Sequence, residues 1–322
     1  MVAATLSLTM QVLESPQCPL CASNEVKVKD SLAGEQLLKL WREFGFHLAP
    51  EDLVPVAQTV QVNLWHCRSC KFEFFDQGLT GTDRFYRQLS VKPGYYSNER
   101  PEFARTLRWV RSLPVRTVLD VGCGEGAFLD QARAAGLQTR GTELNKDARE
   151  KARRKGHEVL DSFLQDLDTS LPYDLVAAFQ VLEHVADPIQ FLRSIARVVR
   201  PGGYLAVAVP NHAGLYRLIP LDPHTWPPHH VTRWTLSHLD QAASRAGLRV
   251  VRKTADLLFG GAIEHYSRVN GRLSEALGRP VNGTRLQLLS SIAFVYRKSG
   301  MRHWLRLRAG LSIFALFQKP TQ

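Results

Sequence analysis

Hydrophobic and polar positions keep one rhythm through the middle of the chain. Short apolar runs rich in β-branched residues fall at 116–121, 138–143, 157–160, 173–179, 203–209 and 247–254. Each predicts a strand, and the longer stretches between them carry helical periodicity. This alternation is the mark of a parallel sheet wrapped by helices, because parallel neighbours need a crossover long enough to hold one. Pro201-Gly202-Gly203 predicts a turn into the fifth strand. Ahead of this block, the stretch 77–113 is polar and aromatic, carrying Tyr86, Tyr95, Tyr96 and an amphipathic run, Glu102 to Ser112, that reads as a helix. Behind it, 255–322 reads as helical and basic until an apolar run, Leu311 to Phe317, predicts a last strand. No internal repeat or low-complexity block interrupts the pattern.

Composition adds bounds. A chain of 322 residues holds one large α/β domain and a small appendage. A hydrophobic share of 44% with 22% charged residues fits a globular protein. The formal net charge of +11 implies an anionic partner, whether nucleic acid, a phosphorylated small molecule or an acidic membrane surface. No apolar stretch reaches the roughly 18 residues of a membrane span. Residues 1–14 read as a loose tail without the basic flank of a secretory signal, so the expected location is the cytoplasm.

The region 15–76 holds Cys18-Pro-Leu-Cys21 and Cys67-Arg-Ser-Cys70. Each pair offers two thiolates from one tight turn. Two such knuckles close a four-sulfur tetrahedron that leaves no coordination position open, which makes a structural zinc ribbon rather than a catalytic metal. A redox dithiol pair and a ribbon without metal are the alternatives.

Thr117-Val-Leu-Asp-Val-Gly122-Cys-Gly124-Glu-Gly126 sends a β-branched strand into alternating glycines and then a helix. Glycines let the backbone turn tightly and let a ligand approach closely, and the helix start offers free N–H groups. About twenty residues on, the next strand ends in Glu143, where a carboxylate can accept both hydroxyls of a ribose. A dinucleotide would also suit this much, since Gly122, Gly124 and Ala127 satisfy its fingerprint. Asp120, two residues before the first glycine, would repel a pyrophosphate and suits a cationic ligand.

On these residues, 115–211 resembles the class I methyltransferases. Val118-Leu-Asp120-Val-Gly122-Cys-Gly124-Glu-Gly126 is similar to their first motif, Glu143 to their ribose-binding acid, and Tyr173 to Pro188 to their fourth-strand motif. Arg200-Pro-Gly-Gly203 resembles the turn before their fifth strand. The resemblance implies a doubly wound, seven-stranded, mostly parallel α/β sheet with an antiparallel last strand, within a domain spanning 114–322. It implies S-adenosylmethionine as methyl donor, held by Asp120, Gly122, Gly124, Gly126, Glu143 and Gln180, with Asp161, Ser162 and Phe163 toward the adenine. Tyr95 or Tyr96 is expected to cover the donor from the linker 77–113.

The acceptor side is expected at Glu183-His184, after the fourth strand, and at His229-His230 in the loop after the fifth. Imidazoles there could bind an acceptor or take its proton, or serve packing alone. Asn211 and His212 border the same region. Between 261 and 308 a helical insertion carries nine arginines and lysines, from Arg268 to Arg308. It could cover an anionic acceptor, dock on lipid phosphates or simply be a solvated face. The ribbon and the Tyr95-Tyr96 segment before such a core resemble enzymes of sugar and polysaccharide modification. A small or glycan-type acceptor, such as a nucleotide sugar or cell-surface saccharide, is therefore preferred. RNA or protein methylation is the second reading, and a non-catalytic donor-binding protein or a nicotinamide enzyme are further ones.

Overall fold

The computed structural model describes residues 16–46, 61–92, 95–162, 164–256 and 310–321, with a few isolated positions between 275 and 294. Strands β4 (Thr117–Val121), β5 (Gln138–Thr142), β6 (Glu158–Leu160), β7 (Tyr173–Phe179), β8 (Val199–Pro210), β10 (Arg249–Ala255) and β11 (Ser312–Gln318) form a seven-stranded sheet. Their order across it is β10-β11-β8-β7-β4-β5-β6. β11 runs antiparallel to both β10 and β8, while the pairs from β8 to β6 are parallel. Strand order reverses beside β4, so the carboxyl ends of β4 and β7 open onto a crevice between oppositely directed crossovers, the usual place for a ligand in such a sheet.

The central strands are apolar on both faces, as strands covered on both sides must be. Along β7, Val176 and Ala178 join one core with Leu119, Leu192, Val207 and Leu239. The alternate residues Leu175, Ala177 and Phe179 join another, with Phe103, Phe128 and Phe314. The helices α3 (Pro101–Val110), α4 (Ala127–Ala134), α5 (Lys146–Arg154), α6 (Pro188–Val198) and α7 (Leu236–Arg245) follow the expected alternation. The fifth strand begins earlier than expected, at Val199. Its pairing with β7 is interrupted between Val199 and Tyr204, and Pro201-Gly202-Gly203 forms the excursion, with Gly202 at φ +73°.

The N-terminal unit contains β1 (Val26–Ala33), α1 (Gly34–Glu43), β2 (Gln61–Cys67) and β3 (Glu73–Phe75), and α2 (Asp83–Ser90) follows it. Its sheet runs β1-β2-β3-β9, and β9 (Thr232–Arg233) comes from the far side of the chain. The expected boundary at residue 76 therefore does not mark a separate packing unit. Cys18, Leu20, Cys67, Phe72 and Phe74 share one core with Trp234 and Leu239. Arg233 is buried against the rings of Phe75 and Trp226, 5.2 and 5.5 Å from their centroids. The tail 1–14 and nearly all of the basic insertion 261–308 lie outside the described residues. Among the described residues, no helix is long and apolar enough to cross a membrane.

Candidate active site

The crevice is a cavity of about 1470 Å³ reaching from the glycine turn after β4 to the loop before β9. At one end, Gly122 and Cys123 donate their N–H groups to the carbonyl of Thr142, which ties the turn to the end of β5. The Glu143 carboxylate accepts from Gly124 N–H and from Asn145 N–H, each at 2.8 Å. Its direction is thus fixed by backbone before any ligand arrives. Gly124 has φ +55°, and a Cβ there would lie 2.5 Å from the ring of Tyr96, so the position admits only glycine. Tyr96 therefore covers the glycine turn, and its hydroxyl accepts from Asn145 Nδ2 at 3.4 Å. Tyr95 packs edge-on against Tyr96 at 5.0 Å and faces His229 at 6.3 Å, joining the two ends of the cavity.

Asp120 is buried at the floor. Burial, then the charge of Glu143, raises its carboxyl well above the usual range, with Arg100 opposing. Burial likewise raises Glu143 against the amides that hold it. Gln180 ends β7 in the left-handed region at φ +56°, and its amide donates to Glu102 at 3.2 Å and Ser312 at 3.3 Å. Asp161 lines the cavity as half of a paired contact with Arg149, at 2.9 and 2.8 Å. Ser162 lines it too, while Phe163 is outside the described residues.

The other end collects Glu183, His184, His229 and His230. Glu183 is fully buried, and neither carboxylate oxygen has a hydrogen-bond partner. Burial pushes its carboxyl up to about 8. The rings of His184, His229 and His230 stand 4.4 to 4.9 Å apart. Two of them are oriented by backbone carbonyls, and His184 also faces that of Gln180. His184 Nδ1 meets the carbonyl of His229, and His229 Nδ1 meets the carbonyl of His224 at 2.9 Å. A carbonyl only accepts, so a ring that donates its hydrogen from Nδ1 keeps a lone pair on Nε2. Tyr86 Oη is a second acceptor, 3.2 Å from His184 Nδ1. Burial lowers His184 to about 4 and holds His229 and His230 well below the ordinary imidazole value. The three rings are therefore neutral at neutral pH. Asn211 and His212 border this cluster with partners of their own, and His212 lies near enough to disfavour a charge on His230. Asn211 donates to the carbonyl of Gly310, and His212 stacks on Tyr216.

Against known proteins, residues 95–253 match a family model described as "Methyltransferase domain". Over these residues the chain is similar to a methyltransferase domain, and its seven-stranded sheet has the class I methyltransferase fold. Strand order supports this, because the observed sheet is the one that the sequence resemblance implies. Two ubiquinone biosynthesis O-methyltransferases are similar over part of the chain. That of Vibrio vulnificus strain YJ016 is 33% identical over 104 residues, 30% of this chain and 44% of its own length. That of Bordetella bronchiseptica is 34% identical over 117 residues, 33% of this chain and 48% of its own. The chain thus spans less than half the length of these curated relatives. Among solved structures, a SAM-dependent methyltransferase from Archaeoglobus fulgidus is 18% identical with a TM-score of 0.43, over 67% of this chain and 92% of that one.

Outside the methyltransferase domain, the two cysteine pairs converge. Cys18 and Cys70 have their sulfurs 3.6 Å apart, and Cys21 and Cys67 3.5 Å apart. Sulfurs about 2.3 Å from one tetrahedral ion stand roughly 3.8 Å from each other, so the set fits zinc.

Several residues that shape the cavity were not singled out from the sequence. Arg149 donates to the carbonyls of Glu143 and Leu144 as well as to Asp161, bracing the turn after β5. Asn145 caps α5 through its side chain. Its place after an acidic strand end and before a helix was a readable signal. Tyr86, His224, Phe44 and Phe46 line the histidine end of the cavity from elements whose approach no local pattern announces.

Proposed function

We propose that the chain transfers the methyl group of S-adenosylmethionine to a hydroxyl of a small, glycan-type acceptor such as a nucleotide sugar or saccharide. One observation carries this reading: a single cavity has the glycine turn and Glu143 at one end and the Glu183–His184–His229–His230 cluster at the other. At the first end, Glu143 is placed to accept from a ribose, Asp120 to face a sulfonium, and Tyr96 to close the top. Bound donor supplies an electrophilic methyl on a leaving group that departs neutral. The acceptor oxygen bonds to that carbon as the carbon–sulfur bond breaks, and the hydroxyl proton passes to the Glu183 and histidine cluster.

The acceptor end is walled by Phe44, Phe46, Tyr86 and Tyr95, with Arg87 and Lys92 beside them. Aromatic faces suit a sugar ring, and the two cations suit a phosphate or carboxylate carried with it. The ubiquinone biosynthesis enzymes that the chain resembles are O-methyltransferases, which agrees with a hydroxyl acceptor. Zinc on the four cysteines is a structural part of the same proposal.

The test is an acceptor screen with methyl-labelled donor, using nucleotide-linked sugars, oligosaccharides and catechol-type phenols in parallel. Label appearing on a sugar, together with stoichiometric S-adenosylhomocysteine, supports the reading. Label on phenols alone would replace the acceptor class and keep the reaction. Absence of donor binding in titration calorimetry would remove the reaction itself.

A further inference from the structure

We infer that His184, His229 and His230 form a binding site for a divalent transition-metal ion at the acceptor end, separate from the four-cysteine site. The inference rests on the reading of that end as the acceptor side only for the ion's role, and not for its binding.

Three observations meet here. Among the described residues, only two groups could hold a metal through three or more atoms drawn together within 4.8 Å: the four cysteines and these three histidines. Second, Nδ1 of His184 and of His229 each meets a backbone carbonyl, so a ring that donates its hydrogen there keeps Nε2 for an ion; His184 also faces the carbonyl of Gln180, which an ion on its Nε2 would have to outcompete. A ligating histidine is normally oriented by such a bond from its other nitrogen. Third, Glu183 is fully buried with both oxygens unpartnered, and one of them lies 3.8 Å from His184 Nε2 and 3.9 Å from His230 Nε2. His230 Nδ1 is buried and unpartnered as well. Unpaired buried polar atoms are costly, and so many around one point call for a shared partner. These distances are too long for hydrogen bonds between the groups, but a metal–imidazole bond of about 2.0–2.1 Å on each side could bridge them.

The donor set separates the two sites chemically. Thiolates select zinc in a closed shell, whereas imidazoles with a carboxylate suit zinc, iron, nickel or cobalt. Three histidines leave coordination positions open, as catalytic sites do. All four residues line the cavity, so an open position would face the acceptor. An acceptor oxygen bound there would be fixed in place and would lose its proton more readily, while the proton still passes to a protein carboxylate.

The test uses the untagged full chain, stripped of metal and titrated with cobalt(II). Thiolate-bound cobalt shows strong sulfur-to-metal charge-transfer absorption, and a nitrogen–oxygen site shows only weak visible bands. The expected result is uptake of two ions per chain, one of each kind. Cys18→Ser with Cys67→Ser should abolish the charge-transfer band and keep the weak set. His229→Gln, which keeps a side chain of comparable reach, should do the reverse. Its second-ion affinity should fall by more than the roughly 10- to 100-fold that loss of an outer hydrogen-bond partner causes. Uptake of one ion with the thiolate spectrum alone would overturn the inference. Donor titration on the same samples keeps the readings apart, since a chain that binds donor but only one ion loses this site and keeps its proposed reaction.

Discussion

At the scale of single residues, the donor end depends on where one carboxylate points. Glu143 is held by Gly124 N–H and Asn145 N–H, and burial keeps its carboxyl above the ordinary range despite them. A ribose donates its hydroxyls only to the ionised form with full strength. Donor affinity should therefore fall as pH falls, starting above the usual glutamate range. Glu143→Gln should bind donor weakly with a flatter pH profile. Glu143→Ala should weaken binding by roughly tenfold or more, since a hydrogen bond to a charged group is worth about 1.5–3 kcal/mol. Calorimetry across pH checks both, and a wild-type profile as flat as that of the glutamine variant would sink the assignment. The place of Glu143 beside the glycine turn could be read from the sequence, because it ends the next strand about twenty residues after that turn. Arg149 could not, because its contact depends on how the helix start folds back over that turn.

At the scale of elements, the strands were legible wherever burial on both faces forced a continuous apolar run. β7 is the clearest case, with Leu175 to Phe179 all buried. β9 was not legible. Two residues carry no periodicity, and their pairing with β3 is decided by sites more than 150 residues apart in the chain. Between these cases stands Asp174, at the start of β7. It accepts from the N–H groups of Arg116 at 2.8 Å and Thr117 at 3.0 Å, and it pairs with Arg200. One side chain thereby aligns the beginnings of β4, β7 and β8. Burial alone would raise its carboxyl, but Arg200 and these amides outweigh it and hold it below the usual value. A depressed value stabilises the fold above the unfolded-state value of about 3.9 and is lost as pH falls through the folded one. Asp174→Asn should cost roughly 1–3 kcal/mol at neutral pH. In denaturant titrations the gap between wild type and variant should close as pH drops below about 4. A gap that stays constant down to that range would show the loss to be geometric and not electrostatic.

At the scale of the whole molecule, the cysteine unit and the methyltransferase domain are joined on the acceptor side. β9 leaves the acceptor loop and completes the N-terminal sheet through Glu73↔Arg233 and Phe74↔Thr232. Phe44 and Phe46, just after α1, stand 5.1 and 5.8 Å from the ring of His224, whose carbonyl orients His229. Among the described residues, the glycine turn and Glu143 make no comparable contact with that unit, being held by β5 and α5. Damage to the cysteine site should therefore reach the acceptor before the donor. Cys67→Ser removes a ligand from a buried position at the end of β2, so zinc should be lost and the N-terminal sheet loosened. Donor affinity should stay within about twofold, because none of the groups that would hold the donor rests on β1, β2 or β3. The acceptor KM should rise by roughly tenfold or more, since a shift of an ångström at a positioning loop can cost about a hundredfold in rate. Metal content, donor calorimetry and acceptor kinetics on one preparation check this ordering. Equal losses at both ends would mean that the coupling runs through the central sheet and not through β9.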